Sequence, residues 1–203
     1  MSAAAAKLAQ APAGSGRPGV FLDKDGTVLE DVPYNVDPAQ MRLAPGAAEG
    51  LALLAGLGCP LVVVSNQPGV GEGRFDERAL SAVFGRLHEL FLGCGAELRG
   101  FVYCPHAAGT DGMPACTCRK PEPGLLYAAA ARFDLALERS WMIGDILDDV
   151  EAGVRAGCRT VLLDNGHETE WRVTPLRRSH YSAGDLAGAA RIVRSAWHTK
   201  VLP

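Results

Sequence analysis

Val20-Phe21-Leu22-Asp23-Lys24-Asp25-Gly26-Thr27-Val28 is the stretch that decides the fold. Three apolar residues in succession suit a short strand buried on both faces, as in a parallel sheet. The run stops at an aspartate, and a second aspartate follows two residues later. Gly26 lets the backbone turn sharply behind the pair.

Working outward, apolar strands alternate with helical patterns. Pro45 to Gly58 reads as a helix, with Pro45 in its first turn and Leu51, Leu53, Leu54 and Leu57 on its apolar face. Leu61 to Val64 is a second buried strand, stopping at Ser65. Asp76 to Phe91 is a helix capped by Asp76, with Leu80, Val83, Phe84, Leu87 and Leu90 facing inward. Leu98 to Tyr103 is a strand and Gly124 to Phe133 a helix. Trp141 to Ile143 is a strand that breaks at Gly144-Asp145, followed by a helix over Asp148 to Ala156. A strand over Thr160 to Leu163 and a helix over Asp185 to Ser195 close the pattern. The expected fold is α/β: a Rossmann-like three-layer sandwich around a mostly parallel sheet.

Asp23, Ser65 and Asp145 each follow the C-terminal end of a buried strand. Ligand sites in open α/β sheets lie outside those strand ends, so one crevice receives all three residues.

The 203 residues suffice for one well-buried domain, expected over 20–203, with an Ala-, Gly- and Pro-rich disordered tail over 1–19. The Ala3–Ala6 run is too short for a signal peptide, and Lys7 follows it instead of preceding it, so a cytoplasmic location is expected. A net charge of −3 without a dense Lys/Arg run argues against nucleic-acid and membrane partners. No apolar stretch approaches the roughly 20 residues that cross a bilayer. A monomer is expected.

Two carboxylates in different environments can divide the work of covalent phosphoryl transfer. One stays ionised and attacks phosphorus; the other protonates the leaving oxygen and then activates water. A carboxylate approaches an anionic phosphate only with a cation between them, and magnesium takes carboxylate and substrate oxygens. Asp145 stands ready to complete such a site with Asp23. Asp148 and Asp149 read as acids favoured by a helix N-terminus whatever the function. Ser65-Asn66-Gln67 offers a hydroxyl and amides for phosphoryl oxygens, and Arg119-Lys120 supplies cations before a helix.

Cys104-Pro105-His106 and Cys116-Thr117-Cys118 form a Cys-x-His and a Cys-x-Cys arm with nine residues between them. Three thiolates and an imidazole match a closed, four-coordinate structural zinc site, a zinc-binding loop that rigidifies the approach to Arg119-Lys120. Cys59, Cys94 and Cys158 read as plain buried thiols.

These residues resemble the haloacid-dehalogenase-type phosphatases, whose four ordered motifs are matched by Asp23-Lys24-Asp25-Gly26-Thr27, Ser65, Lys120, and Gly144-Asp145 with Asp149. Within that superfamily the chain is similar to the D-glycero-D-manno-heptose 1,7-bisphosphate 7-phosphatases. The similarity lies in its Cys-Pro-His, Cys-x-Cys-Arg-Lys-Pro, Ser-Asn-Gln-x-Gly and Gly73-Arg74-Phe75 elements. The resemblance covers about Val20 to Leu163. It implies Asp23 as nucleophile, Asp25 as general acid/base, and magnesium on the Asp23 carboxylate, the Asp25 main-chain carbonyl and Asp145. It further implies Ser65 and Lys120 on the phosphoryl group, and Arg119, Asp31 and Tyr34 toward the rest of a phosphorylated sugar. Ile146 departs from the pattern, standing where this subfamily typically has a lysine.

Neither the Thr27–Ser65 nor the Ser65–Lys120 interval has room for a large cap domain, so loops must select the substrate. The enzymatic alternatives are a histidinol-phosphate phosphatase, whose zinc-bearing members resemble this chain through the same Cys-Pro-His and Cys-x-Cys-Arg-Lys-Pro features, or another small sugar-phosphate phosphatase. A non-catalytic, zinc-stabilised phosphate-binding module is the alternative outside enzymes.

Overall fold

A computed structural model describes residues 16–109 and 116–197. The elements run β1 (Val20–Leu22), α1 (Ala47–Ala55), β2 (Leu61–Asn66), α2 (Glu77–Gly93), β3 (Leu98–Cys104), α3 (Gly124–Phe133), β4 (Trp141–Gly144), α4 (Leu147–Arg155), β5 (Arg159–Leu163), β6 (Tyr181–Ala183) and α5 (Leu186–Ala196). The strands form one sheet in the order β3-β2-β1-β4-β5-β6. Every neighbouring pair is parallel, so the expected mostly parallel sheet is parallel throughout its described strands.

Alternation along the strands divides the core between two faces. Val20 and Leu22 of β1 join Val63, Ile143 and Val161 under α1, α2 and α5. Phe21 points the other way with Val62, Val64 and Met142, beneath Leu125, Leu126 and Ala129 of α3. Leu147 and Val150 of α4 cover Leu162. Helices thus cover both faces of the sheet.

Helix boundaries fall within about three residues of those expected, because the caps define them. Asp76 accepts from Ala79 N at 3.1 Å and Asp185 from Gly188 N at 2.7 Å, so each precedes its helix. The short parallel edge strand β6 has no counterpart in the sequence reading. The tail expected over 1–19 lies largely outside the described residues. Its end is already part of the fold, since Arg17 donates to Asp134 O at 3.1 Å and accepts from Ala136 N at 3.0 Å. Cys158 is buried as expected, whereas Cys59 and Cys94 are only partly buried because they sit at element ends.

Between β1 and β2 the chain adds only the short 3-10 turn Pro38–Gln40 besides α1. Among the described residues no second domain covers the C-terminal strand ends. The chain leaves β1 for β2 on one side and later returns to β4 on the other, which opens the crevice between β1 and β4.

Candidate active site

Asp23 lies at the end of β1, 8% exposed, with its backbone N–H donating to Ile143 O of β4 at 2.9 Å. Lys120 reaches it from the segment before α3 and is itself 2% exposed. The ammonium ion-pairs with Asp23, sits 2.6 Å from Asp149 Oδ1 and donates to Val64 O at 3.1 Å. Burial would drive this lysine toward neutrality, but Asp149 and Asp23 more than offset that and hold it charged. Asp149, fully buried, also accepts from Ile146 N at 3.3 Å. The helix-terminus explanation for this acid therefore gives way to a place in the site, whereas Asp148 turns outward to Arg177.

Asp25 keeps 30% of its side chain open and pairs with buried Lys24 at 2.7 Å. Burial raises its pKa to about 6; Lys24 opposes the shift and the Asp23 charge adds to it. Gln67 donates to Ser65 Oγ at 2.9 Å and stands 3.4 Å from Asp25 Oδ2, joining the ends of β1 and β2. Asn66 spends both ends of its amide on the Lys120 backbone, each at 3.0 Å, which fixes the lysine's approach.

Asp145 follows β4, 4% exposed, and accepts from Thr27 Oγ1 at 3.2 Å. Burial and then the charges of Asp23 and Asp149 push its pKa up to about 8. The carboxylates of Asp23, Asp145 and Asp149 offer oxygens within 4.8 Å of one another. Lys120 neutralises only part of this charge. Crowded, buried oxygens of this kind suit a hard divalent cation on Asp23 and Asp145, with Asp149 engaged by the lysine.

Beside Asp25 opens a cavity of about 210 Å³, lined by Asp31, Tyr34, Asn66, Gln67 and Phe75 among others. Tyr34 has a left-handed backbone, φ 58°, uncommon for a bulky residue. The Arg74 guanidinium lies 4.0 Å from its ring centre and 2.8 Å from Glu72. The loop after β1 is thus clamped to the loop after β2, making one wall of the cavity. Arg119 is half-buried, and among the described residues its Nη1 has no hydrogen-bond partner.

Cys104, His106, Cys116 and Cys118 converge as expected. Cys118 Sγ is 3.3 Å from both Cys104 Sγ and Cys116 Sγ and 3.3 Å from His106 Nδ1. Such separations far exceed a disulfide bond of about 2.05 Å. They approach the ~3.8 Å edge of a sulfur tetrahedron built on zinc–sulfur bonds of about 2.3 Å. Arg119 N and neighbouring thiols overcome burial and bring Cys116 down to about 7, while burial raises Cys104 and Cys118. The four donors fit zinc, which would allow all three sulfurs to be thiolates. The knuckle is seated on α3, whose Gly124 N donates to Thr117 O at 3.1 Å.

A D-glycero-beta-D-manno-heptose-1,7-bisphosphate 7-phosphatase from Mesorhizobium japonicum is 39% identical over 178 residues, covering 85% of this chain and 82% of the relative. The chain belongs to that family of phosphatases. A Pseudomonas putida relative of the same name is 32% identical, covering 85% of this chain and 97% of the relative. Residues 117–189 match the family model described as "HAD-hyrolase-like". The crystal structure of D,D-heptose 1.7-bisphosphate phosphatase from B. bronchiseptica, complexed with magnesium and phosphate, superposes with a TM-score of 0.71 at 29% identity. It covers 88% of this chain and 98% of that one. The protein is therefore an enzyme, a phosphoric monoester hydrolase. Among the described residues no helix is long and apolar enough to cross a membrane.

The sequence reading of this phosphatase gave no place to Lys24, although a lysine between two catalytic-type acids is itself a signal. It also passed over Asn165 and His167. The rule that identified Asp23, Ser65 and Asp145 applies equally to the polar residues that follow β5.

Proposed function

We propose that the enzyme removes the 7-phosphate of D-glycero-D-manno-heptose 1,7-bisphosphate through an aspartyl-phosphate. The observation that carries this reading is the contrast between two acids two residues apart. Asp23 is locked against the Lys120 cation, whereas burial raises Asp25 to about 6, poised to exchange a proton. Names and coverage of the relatives supply the sugar.

Asp23 attacks phosphorus as the bond to the sugar oxygen breaks, and Asp25 gives its proton to that oxygen. Asp25 then takes a proton from the water that attacks the phosphoryl group, releasing phosphate and restoring Asp23. Ser65 and Lys120 hold the phosphoryl oxygens. Magnesium, held by the Asp23 and Asp145 carboxylates and the Asp25 main-chain carbonyl, supplies charge neutralisation. Asp31, Tyr34, Asn66 and Gln67 shape the sugar cavity, and Arg119, whose Nη1 is unspent among the described residues, recognises the more distant part of the substrate. Zinc on Cys104, His106, Cys116 and Cys118 stiffens the segment that presents Arg119 and Lys120.

We assign the phosphatase domain to residues 20–203. The protein works as a monomer in the cytoplasm, a reducing compartment in which zinc thiolates persist.

The test is phosphate release over heptose bisphosphates, hexose bisphosphates and histidinol phosphate with magnesium. The reading expects the highest kcat/KM on the heptose 1,7-bisphosphate, with one equivalent of phosphate released. Preference for histidinol phosphate, or equal weak activity on all, would overturn the substrate.

A further inference from the structure

The β5 loop places three side chains of one short run on three separate parts of the site. Asn165 Nδ2 donates to Gly26 O at 2.8 Å, holding the turn behind Asp25. His167 Nδ1 lies 2.8 Å from Asp145 Oδ2. Glu168 accepts from Leu147 N at 2.6 Å, at the first turn of α4. We infer that His167 is a positioning residue that orients Asp145 for magnesium, an inference that rests on Asp145 being a ligand of that ion.

With magnesium bound Asp145 is ionised and only accepts hydrogen bonds, so in that state the hydrogen lies on His167 Nδ1. Thr27 already donates to the other oxygen, Oδ1, at 3.2 Å. With one donor on each oxygen the carboxylate plane is fixed, and further lone pairs remain for a cation. Carboxylates and imidazoles around metals are held in this way by outer partners, which set their direction and basicity. Gly26 makes the contact possible. Its φ is +75°, and a Cβ there would lie 2.5 Å from His167 Nδ1. The catalytic turn therefore needs glycine both for its backbone and to let the Asp145–His167 pair close over it.

Asn165 and Glu168 anchor the loop without His167, and its side chain is 35% exposed. Its substitution leaves no buried hole, so its contribution can be separated from folding. The experiment titrates magnesium alone into the full, zinc-loaded chain by calorimetry, without substrate. It compares wild type, His167→Ala, His167→Asn and Asp145→Asn. An asparagine amide reaches about the position of Nδ1 and restores a donor. His167→Ala is expected to weaken magnesium roughly 10- to 100-fold, with zinc content unchanged and KM at saturating magnesium altered by no more than about twofold. His167→Asn recovers most of the loss. Unchanged magnesium affinity in His167→Ala, with Asp145→Asn abolishing binding, would overturn the inference and leave the magnesium site standing. A rise in KM at unchanged magnesium affinity would overturn it too, making His167 a substrate contact. Undiminished binding by Asp145→Asn would remove the magnesium reading itself.

Discussion

Asp25 is the residue whose surroundings say most about the reaction. It shares its turn with Asp23 and has Lys24 at 2.7 Å, yet burial still raises its pKa to about 6. In the proposed reaction the acid form serves a sugar leaving group, which departs poorly as an alkoxide. An aryl phosphate such as p-nitrophenyl phosphate needs no such proton. The ratio of kcat/KM on the sugar phosphate to that on the aryl phosphate should fall as pH rises from about 6 to about 8, because the protonated fraction of Asp25 declines. Parallel pH–rate profiles measure this, and a flat ratio would remove Asp25 as the acid. At this scale Asp23, Ser65, Lys120 and Asp145 were legible because strand ends and motif spacing place them. Asp149 entered only as part of the family's fourth motif and without a role of its own, since an acid in the first turn of a helix has an ordinary explanation until its burial against Lys120 is seen.

Among the elements, the segment between β3 and α3 carries the greatest demand. Lys120 must cross from a surface loop to a buried position, guided by Asn66 and by a cysteine knuckle seated on α3. Cys118 is central to that knuckle, within 3.3 Å of two sulfurs and an imidazole nitrogen. Cys118→Ser should lower zinc content to a small fraction and reduce kcat by at least about tenfold, through a displaced Lys120. Metal analysis alongside turnover checks this; full activity in zinc-free protein would contradict it. The helices were readable from apolar spacing and caps, as with Asp76 and Asp185. The edge strand β6 was not, because it has three residues, none of them buried. The loop contacts of Tyr34 with Arg74, and of His167 with Asp145, join segments far apart in the chain and have no local signature.

At the scale of the whole molecule, the neighbouring parallel strands β1 and β4, with the first turn of α4, bring like charges together at the C-terminal end of the sheet. Folded pKa values of about 8 for Asp145 and about 6 for Asp149 exceed the ordinary 3.8. Without magnesium the folded chain therefore binds more protons than the unfolded one in that window, and its stability falls as pH rises through it. Magnesium bound as proposed would keep Asp145 ionised and cancel the loss. Its increment in melting temperature, measured on zinc-loaded protein, should be larger at about pH 8 than at about pH 5; an increment that shrinks with pH would contradict this. The parallel sheet and its crevice followed from alternating strands and helices. That loops stand in place of a large cap followed from the short intervals between the motifs, whereas how those loops pack, as Tyr34 does against Arg74, followed only from the structure. The central claim is that Asp23 forms a bond to phosphorus, and Asp23→Asn tests it most directly. The account predicts loss of turnover to below about one part in a thousand with zinc content and melting temperature preserved. Turnover retained near the wild-type level in that variant would contradict it.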